Sequence, residues 1–138
     1  MEQKDKELLL QDLCARLPYD LYVQYDNKEW LATGYGHGRV SLLASIFSSI
    51  SGPCPLVEEI KPYLRPMSSM TDEECIKLSQ LCPYTTDAWK YIKTSIPLYI
   101  ANLAQFDFFH SHHLDWRGLI GKGLALEAPE GMYNEWLY

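Results

Sequence analysis

No apolar run in this sequence approaches the roughly 20 residues that a helix needs to span a bilayer. The N-terminus, Met1-Glu2-Gln3-Lys4-Asp5-Lys6-Glu7, is mostly charged and lacks the apolar stretch of a secretory signal, so a cytoplasmic location is expected. Basic residues are scarce: 12 Lys and Arg face 18 Asp and Glu, the formal net charge is −6, and no polybasic run occurs. That balance argues against an extended nucleic-acid interface, which needs clustered cations to release phosphate counterions. The four cysteines include no C-x-x-C pair. Cys75 and Cys82 fall on one predicted helix, about 10 Å apart along its axis and too far to bridge, so buried free thiols are expected at all four positions. No G-x-S-x-G elbow surrounds the serines at 48–49 or 68–69, and no papain-like motif surrounds a cysteine, which leaves nucleophilic catalysis without support.

What the chain does have is an ordinary globular balance, 47% hydrophobic and 22% charged, with ten tyrosines and four tryptophans among its 138 residues. Such a composition suits a single domain over residues 1–138, and the Tyr and Trp excess suits a core with wet edges or a recognition surface. Leu9, Leu10, Leu13, Cys14 and Leu17 recur at helical spacing and predict a helix from 4 to about 16, stopped by Pro18. From Leu21 the period changes to two, and Asp26-Asn27-Lys28 supplies the turn of a hairpin that resumes at Glu29-Trp30-Leu31-Ala32-Thr33. Gly34–Gly38 reads as a loop, Val40–Phe47 as a third strand and Ser48–Pro55 as a second loop. Pro62 and Pro66 confine the stretch from Val57 to Pro66 to an extended or edge conformation and argue against a buried central strand. Thr71-Asp72-Glu73-Glu74 is a capping box that opens a helix to about Leu81. A weaker helical pattern covers Thr86 to Lys93, and Ser95-Ile96-Pro97 opens another helix to about Phe109 whose apolar face includes Ile96, Ile100, Leu103 and Phe106. Glycines then imply turns around a short Leu124–Leu126 element. The expected architecture is α+β, a small mainly antiparallel sheet packed against N- and C-terminal helices, with Trp30, Phe47, Leu64, Ile76, Ile100, Leu103 and Phe106 as candidate core.

Reactive side chains crowd one segment, His110-Ser111-His112-His113-Leu114-Asp115-Trp116-Arg117-Gly118. Three readings compete. In the structural one, the histidines favour the negative end of a helix, Asp115 caps the next turn and Arg117 ties the tail down, with Asp115 and Arg117 as partly buried charges that compensate each other. In the second, His110, His112, His113 and Asp115 ligate a divalent metal, though their spacing is unspecific. In the third they bind a ligand or do acid–base work without metal. Gly34, Gly36 and Gly38 lack the spacing of a dinucleotide fingerprint and read as a flexible connection, with His37 and Arg39 as a candidate second wall for an anion site. Lys61, Tyr63 and Arg65 could present a small basic, aromatic patch, or could be a covering strand with its cations in water.

Three blocks are long and unusual: Asp12-Leu13-Cys14-Ala15-Arg16-Leu17-Pro18-Tyr19, Ile60-Lys61-Pro62-Tyr63-Leu64-Arg65-Pro66-Met67-Ser68-Ser69-Met70-Thr71, and His112-His113-Leu114-Asp115-Trp116-Arg117-Gly118-Leu119-Ile120. Together with Gly123-Leu124-Ala125-Leu126-Glu127-Ala128-Pro129-Glu130-Gly131-Met132-Tyr133 they resemble a family of small uncharacterised proteins from phages and prophage-like elements of anaerobic gut bacteria. The resemblance is weakest at Gly34–Gly38 and around Tyr84–Thr94. It implies an accessory protein made inside a bacterial cell, and it brings no reaction, cofactor or catalytic residue. The expectation is therefore a non-enzymatic binding module, needing no cofactor, that inhibits a host protein or holds a small molecule, with self-association as a homodimer left open. Its tentative binding residues are His110, His112, His113, Asp115, Arg117, Tyr63 and Arg65. The alternatives are a metal-dependent hydrolase or nuclease built on His110, His112, His113 and Asp115, and a structural phage component.

Overall fold

Two tight turns organise the first sheet strands. Asp26 and Asn27, with φ of 53° and 58°, join β1 (Tyr22–Tyr25) to β2 (Lys28–Gly36) with Tyr25 opposite Lys28. Positive φ at both central positions is the signature of the turn whose twist matches the paired strands, and Asp and Asn tolerate it. The same device recurs at His37 and Gly38, with φ of 52° and 77°, between β2 and β3 (Arg39–Leu43). Gly34–Gly38 is thus the end of a strand and a two-residue turn, where a flexible loop was expected; an irregularity in pairing between Ala32 and Gly34 realigns the strand. The computed structural model describes residues 1–44, 50, 52–81 and 103–133. Phe47, the helical pattern at 86–93, the cap at 95–97 with Ile96 and Ile100, and Cys82 lie outside the described residues.

Among the described residues the sheet has five strands in the order β3-β2-β1-β4-β5, with β4 at Lys61–Leu64 and β5 at Leu126–Glu127. All pairs are antiparallel except β4 with β5. The architecture is α+β, as the sequence predicts. The position of β4 is not: it lies between β1 and β5, and Pro62, Tyr63 and Leu64 are buried. The physical reason is direction. The Leu64 carbonyl faces β5, accepting from the Ala128 amide at 2.8 Å, so Pro62, two residues earlier, faces the same side. Pairing with β5 begins only at Tyr63, and the amide that proline lacks has no ladder bond to lose.

The helix α1 (Gln3–Arg16) buries Leu9, Asp12, Leu13 and Arg16, an i, i+3, i+4, i+7 stripe, whereas Cys14, expected on the apolar side, is exposed. Leu9 and Leu13 join Leu21, Val23, Val40, Leu42, Val57, Ile60, Leu64 and Leu119 in the larger apolar cluster, with Trp30 packed partly buried against it. A second cluster forms between α2 (Asp72–Gln80) and α3 (Leu103–Ser111), where Met70, Cys75, Leu78, Phe108, Phe109 and Leu114 meet and Phe106 is partly buried. Ile76 and Leu103, candidate core residues, instead point outward at 48% and 77% exposure, because the inward stripe of α2 runs through Glu74, Cys75 and Leu78 and that of α3 through Gln105, Phe108 and Phe109. Cys54 is exposed as well, so of the thiols described only Cys75 is buried as expected.

The free edge of β3 is covered by the segment that follows it. Val40 and Leu42 donate to the carbonyls of Pro55 and Pro53, Gly52 donates back to Leu42, and Arg39 Nη1 holds the Cys54 carbonyl at 2.9 Å. Gly52 is required for this approach, since a Cβ there would lie 2.5 Å from the Leu42 oxygen.

Candidate functional site

The segment after α3 turns sharply at His113, which has φ of 53°, and then runs beside the end of β4: the Arg65 amide donates to His113 and the Asp115 amide donates to Arg65, each at 2.8 Å. This puts the reactive cluster between α1, α2 and the end of the sheet. Each of its side chains then goes a different way. His110 Nε2 accepts from the Trp116 indole at 3.0 Å. His113, fully buried, donates from Nε2 to the Tyr19 carbonyl at 2.6 Å. His112 turns Nδ1 back onto its own helix, donating to the Phe108 carbonyl at 3.0 Å, and its ring stacks on Phe108 with centroids 4.0 Å apart.

Asp115 caps, as in the structural reading of the cluster: its two oxygens accept from the amides of Leu119 and Ile120 at 2.8 and 3.0 Å. Arg117 does not compensate it. The guanidinium lies over the Trp116 ring, 4.2 Å from its centroid, and donates from Nε to Asp12 at 3.1 Å. Asp12 also receives Arg16 through both Nε and Nη2, at 2.8 and 3.1 Å, with neither side chain exposed at all. Arg16 extends from there to the Leu114 carbonyl at 2.6 Å. One buried carboxylate therefore carries two guanidiniums and joins α1 to the cluster. Asp12 and Arg16 were not among the sequence candidates; the signal was their i, i+4 spacing inside the Leu9 and Leu13 stripe.

The expected basic, aromatic patch is divided by its neighbours. Lys61 is exposed and Tyr63 buried, where burial, reinforced by Glu29, pushes its phenol up. Arg65 forms a bidentate pair with Glu74 at 2.8 and 2.7 Å. Burial works against ionisation of Glu74, yet this pair and the Thr71 amide hold its carboxyl below the ordinary range. The same carboxylate closes the capping box, accepting from the Thr71 amide at 3.0 Å while its own amide donates to Thr71 Oγ1 at 3.2 Å. His37 and Arg39 have no hydrogen bond, ion pair or ring contact to the cluster among the described residues.

The electrostatics follow from this placement. Burial, followed by the Arg16 charge, lowers His113 to about 3 and His110 to about 4, and burial lowers His112 also. All three rings are neutral near pH 7. Neutral imidazoles are competent metal ligands, but among the described residues no three His, Cys, Asp or Glu side chains are placed to hold one ion, and the four proposed ligands diverge. Asp115→Ala should lower stability by about 1–3 kcal/mol, since the amides of Leu119 and Ile120 lose their acceptor. Urea unfolding measures it; unchanged stability would return Asp115 to the list of binding candidates.

One open hollow borders the cluster. It has a volume of about 350 Å³ and is lined by Tyr19, Lys77, Leu81, Ala104, Asp107, Phe108, Ser111 and His112. None of its residues except His112 was singled out from the sequence, because they come from three separate elements. Two further hollows, of about 370 and 390 Å³, flank the turn at Pro129–Gly131 and take in Arg65 and Tyr22 respectively. No helix of the described residues is long and apolar enough to cross a membrane. No known protein family matches this chain, and no curated protein or solved structure is significantly similar to it.

Proposed function

We propose that this chain is a non-enzymatic binding protein, an accessory product of a phage or prophage-like element that acts in the bacterial cytoplasm on a host protein or a small molecule. The phage context rests on the resemblance of its sequence blocks. The binding role rests on one observation: the side chains that could do chemistry are engaged by the fold. His113 holds a backbone carbonyl, Asp115 two amides, Arg117 and Arg65 a carboxylate each, and His110 an indole. A general acid or base must reach a substrate, and a metal centre needs converging ligands with an open position for water. These groups are turned to structural partners.

Native mass spectrometry of the chain freshly purified from a bacterial lysate, beside a pull-down from the same lysate, tests this reading. The expected result is a stoichiometric mass increment from a bound small molecule or a defined complex with one host protein. The bare chain alone in both experiments, at low and physiological salt, would remove the proposal's support.

A further inference from the structure

We infer that the hollow between α2 and α3 is a binding site for a small, uncharged, apolar molecule with one hydrogen-bond donor, an N–H or O–H that meets His112 Nε2. The inference deepens the binding-protein reading and rests on it.

His112 is only 7% exposed, and its Nδ1 edge is fixed against the Phe108 carbonyl and the Ser111 hydroxyl. That bond sets the tautomer, with the proton on Nδ1 and a bare lone pair on Nε2. Nε2 has no hydrogen-bond partner among the described residues, and His112 is one of the residues that line the hollow. This nitrogen is not sealed from solvent, so a donor on a bound molecule can take the place of water there. The stacked Phe108 ring keeps the imidazole from turning away.

The surroundings narrow the class of molecule. Leu81, Ala104 and Phe108 supply an apolar wall, and the volume of about 350 Å³ fits one small molecule. Lys77 and Asp107 both line the hollow and have opposite signs, so neither a net anion nor a net cation is favoured. The one fixed polar feature is an acceptor.

Indole, which has one N–H on an apolar ring, and 1-methylindole, which lacks that N–H, are suitable probes. Titrated into isotope-labelled protein, indole should shift the amide resonances of Leu81, Ala104, Phe108 and His112, and should bind up to about tenfold more tightly than 1-methylindole, the upper range for one neutral hydrogen bond. His112→Asn keeps an N–H near the position of Nδ1 but removes the Nε2 acceptor, and should abolish that preference. Ala104→Trp, at an exposed helical position, should block both probes without touching His112. Equal affinity of the two probes for the wild-type chain, or shifts scattered away from the hollow, would overturn the inference, and neither result depends on a variant folding. A host complex that survives Ala104→Trp, in a protein that ignores indole, would refute the hollow and leave the binding-protein reading standing.

Discussion

Asp12→Ala is expected to lower the unfolding free energy by about 3–5 kcal/mol, the range for removing one partner of a buried ion pair. The loss comes from what remains. Arg16, fully buried, would keep its charge with only the carbonyls of Leu114 and Phe109 for company, and Arg117 would lose its carboxylate too. A change of that size lowers the melting temperature by on the order of 10 °C or more in a domain of this length. Asp12→Leu combined with Arg16→Met should recover part of the loss, because it removes the desolvated charge together with its partner. Thermal unfolding of the three variants decides the matter: a double variant no more stable than Asp12→Ala would show that the carbonyl contacts of Arg16, and not its charge balance, dominate.

Acidification from pH 7 to pH 5 should destabilise the protein before its carboxylates begin to titrate. His113 falls from an ordinary value near 6.5 to about 3 on folding, because burial and Arg16 disfavour its cation. The unfolded chain therefore binds this proton first. The contribution of neutral His113 is complete above pH 6.5 and declines as the pH drops through the window from 6.5 towards 3, by about 1.4 kcal/mol per unit, or about 2 kcal/mol by pH 5. His110 acts in the same direction over 6.5 to about 4, by less than its shift implies because the ring is partly open to water. Glu74, held below its ordinary value of 4.5, begins to matter only at lower pH. Urea unfolding at pH 7, 6 and 5 measures the slope, and His113→Gln, which can still donate to the Tyr19 carbonyl, should flatten it. Parallel slopes for variant and wild type would assign the acid lability elsewhere.

Local signals were legible in the sequence and distant ones were not. The Asp26-Asn27 turn and the Thr71–Glu74 box each depend on residues within a few positions of one another, and both form as read. Asp115 as a cap belongs to the same class, since its partners are only four and five residues ahead. The inner position of β4 is not legible in the sequence, because a proline constrains an amide while the direction that amide faces depends on which strand lies beside it. Proximity in sequence pairs Arg117 with Asp115, whereas the fold brings it a carboxylate from α1. For the histidines, residue type reveals what a ring can do but not where it points. His112 and His113 are adjacent, yet one donates to its own helix and the other to a turn near the N-terminus.

The distance spanned by the Asp12 network bears on how the chain comes to be folded during synthesis. Arg16 contacts Leu114 across 98 positions and Asp12 meets Arg117 across 105. Until those late residues leave the ribosome, Leu9 and Leu13 can meet the sheet residues from Leu21 to Leu64, but the Asp12–Arg16 pair lacks Arg117 and the carbonyls of Phe109 and Leu114. Loop closure over such a span carries an entropic penalty that precedes any reward from contact. The first helix is therefore the earliest element made, and its polar contacts are among the last to be completed. A nascent chain stalled before residue 114 would hold the Asp12–Arg16 pair without the Leu114 carbonyl and Arg117 that complete it, an unfinished form recognisable to chaperones and proteases.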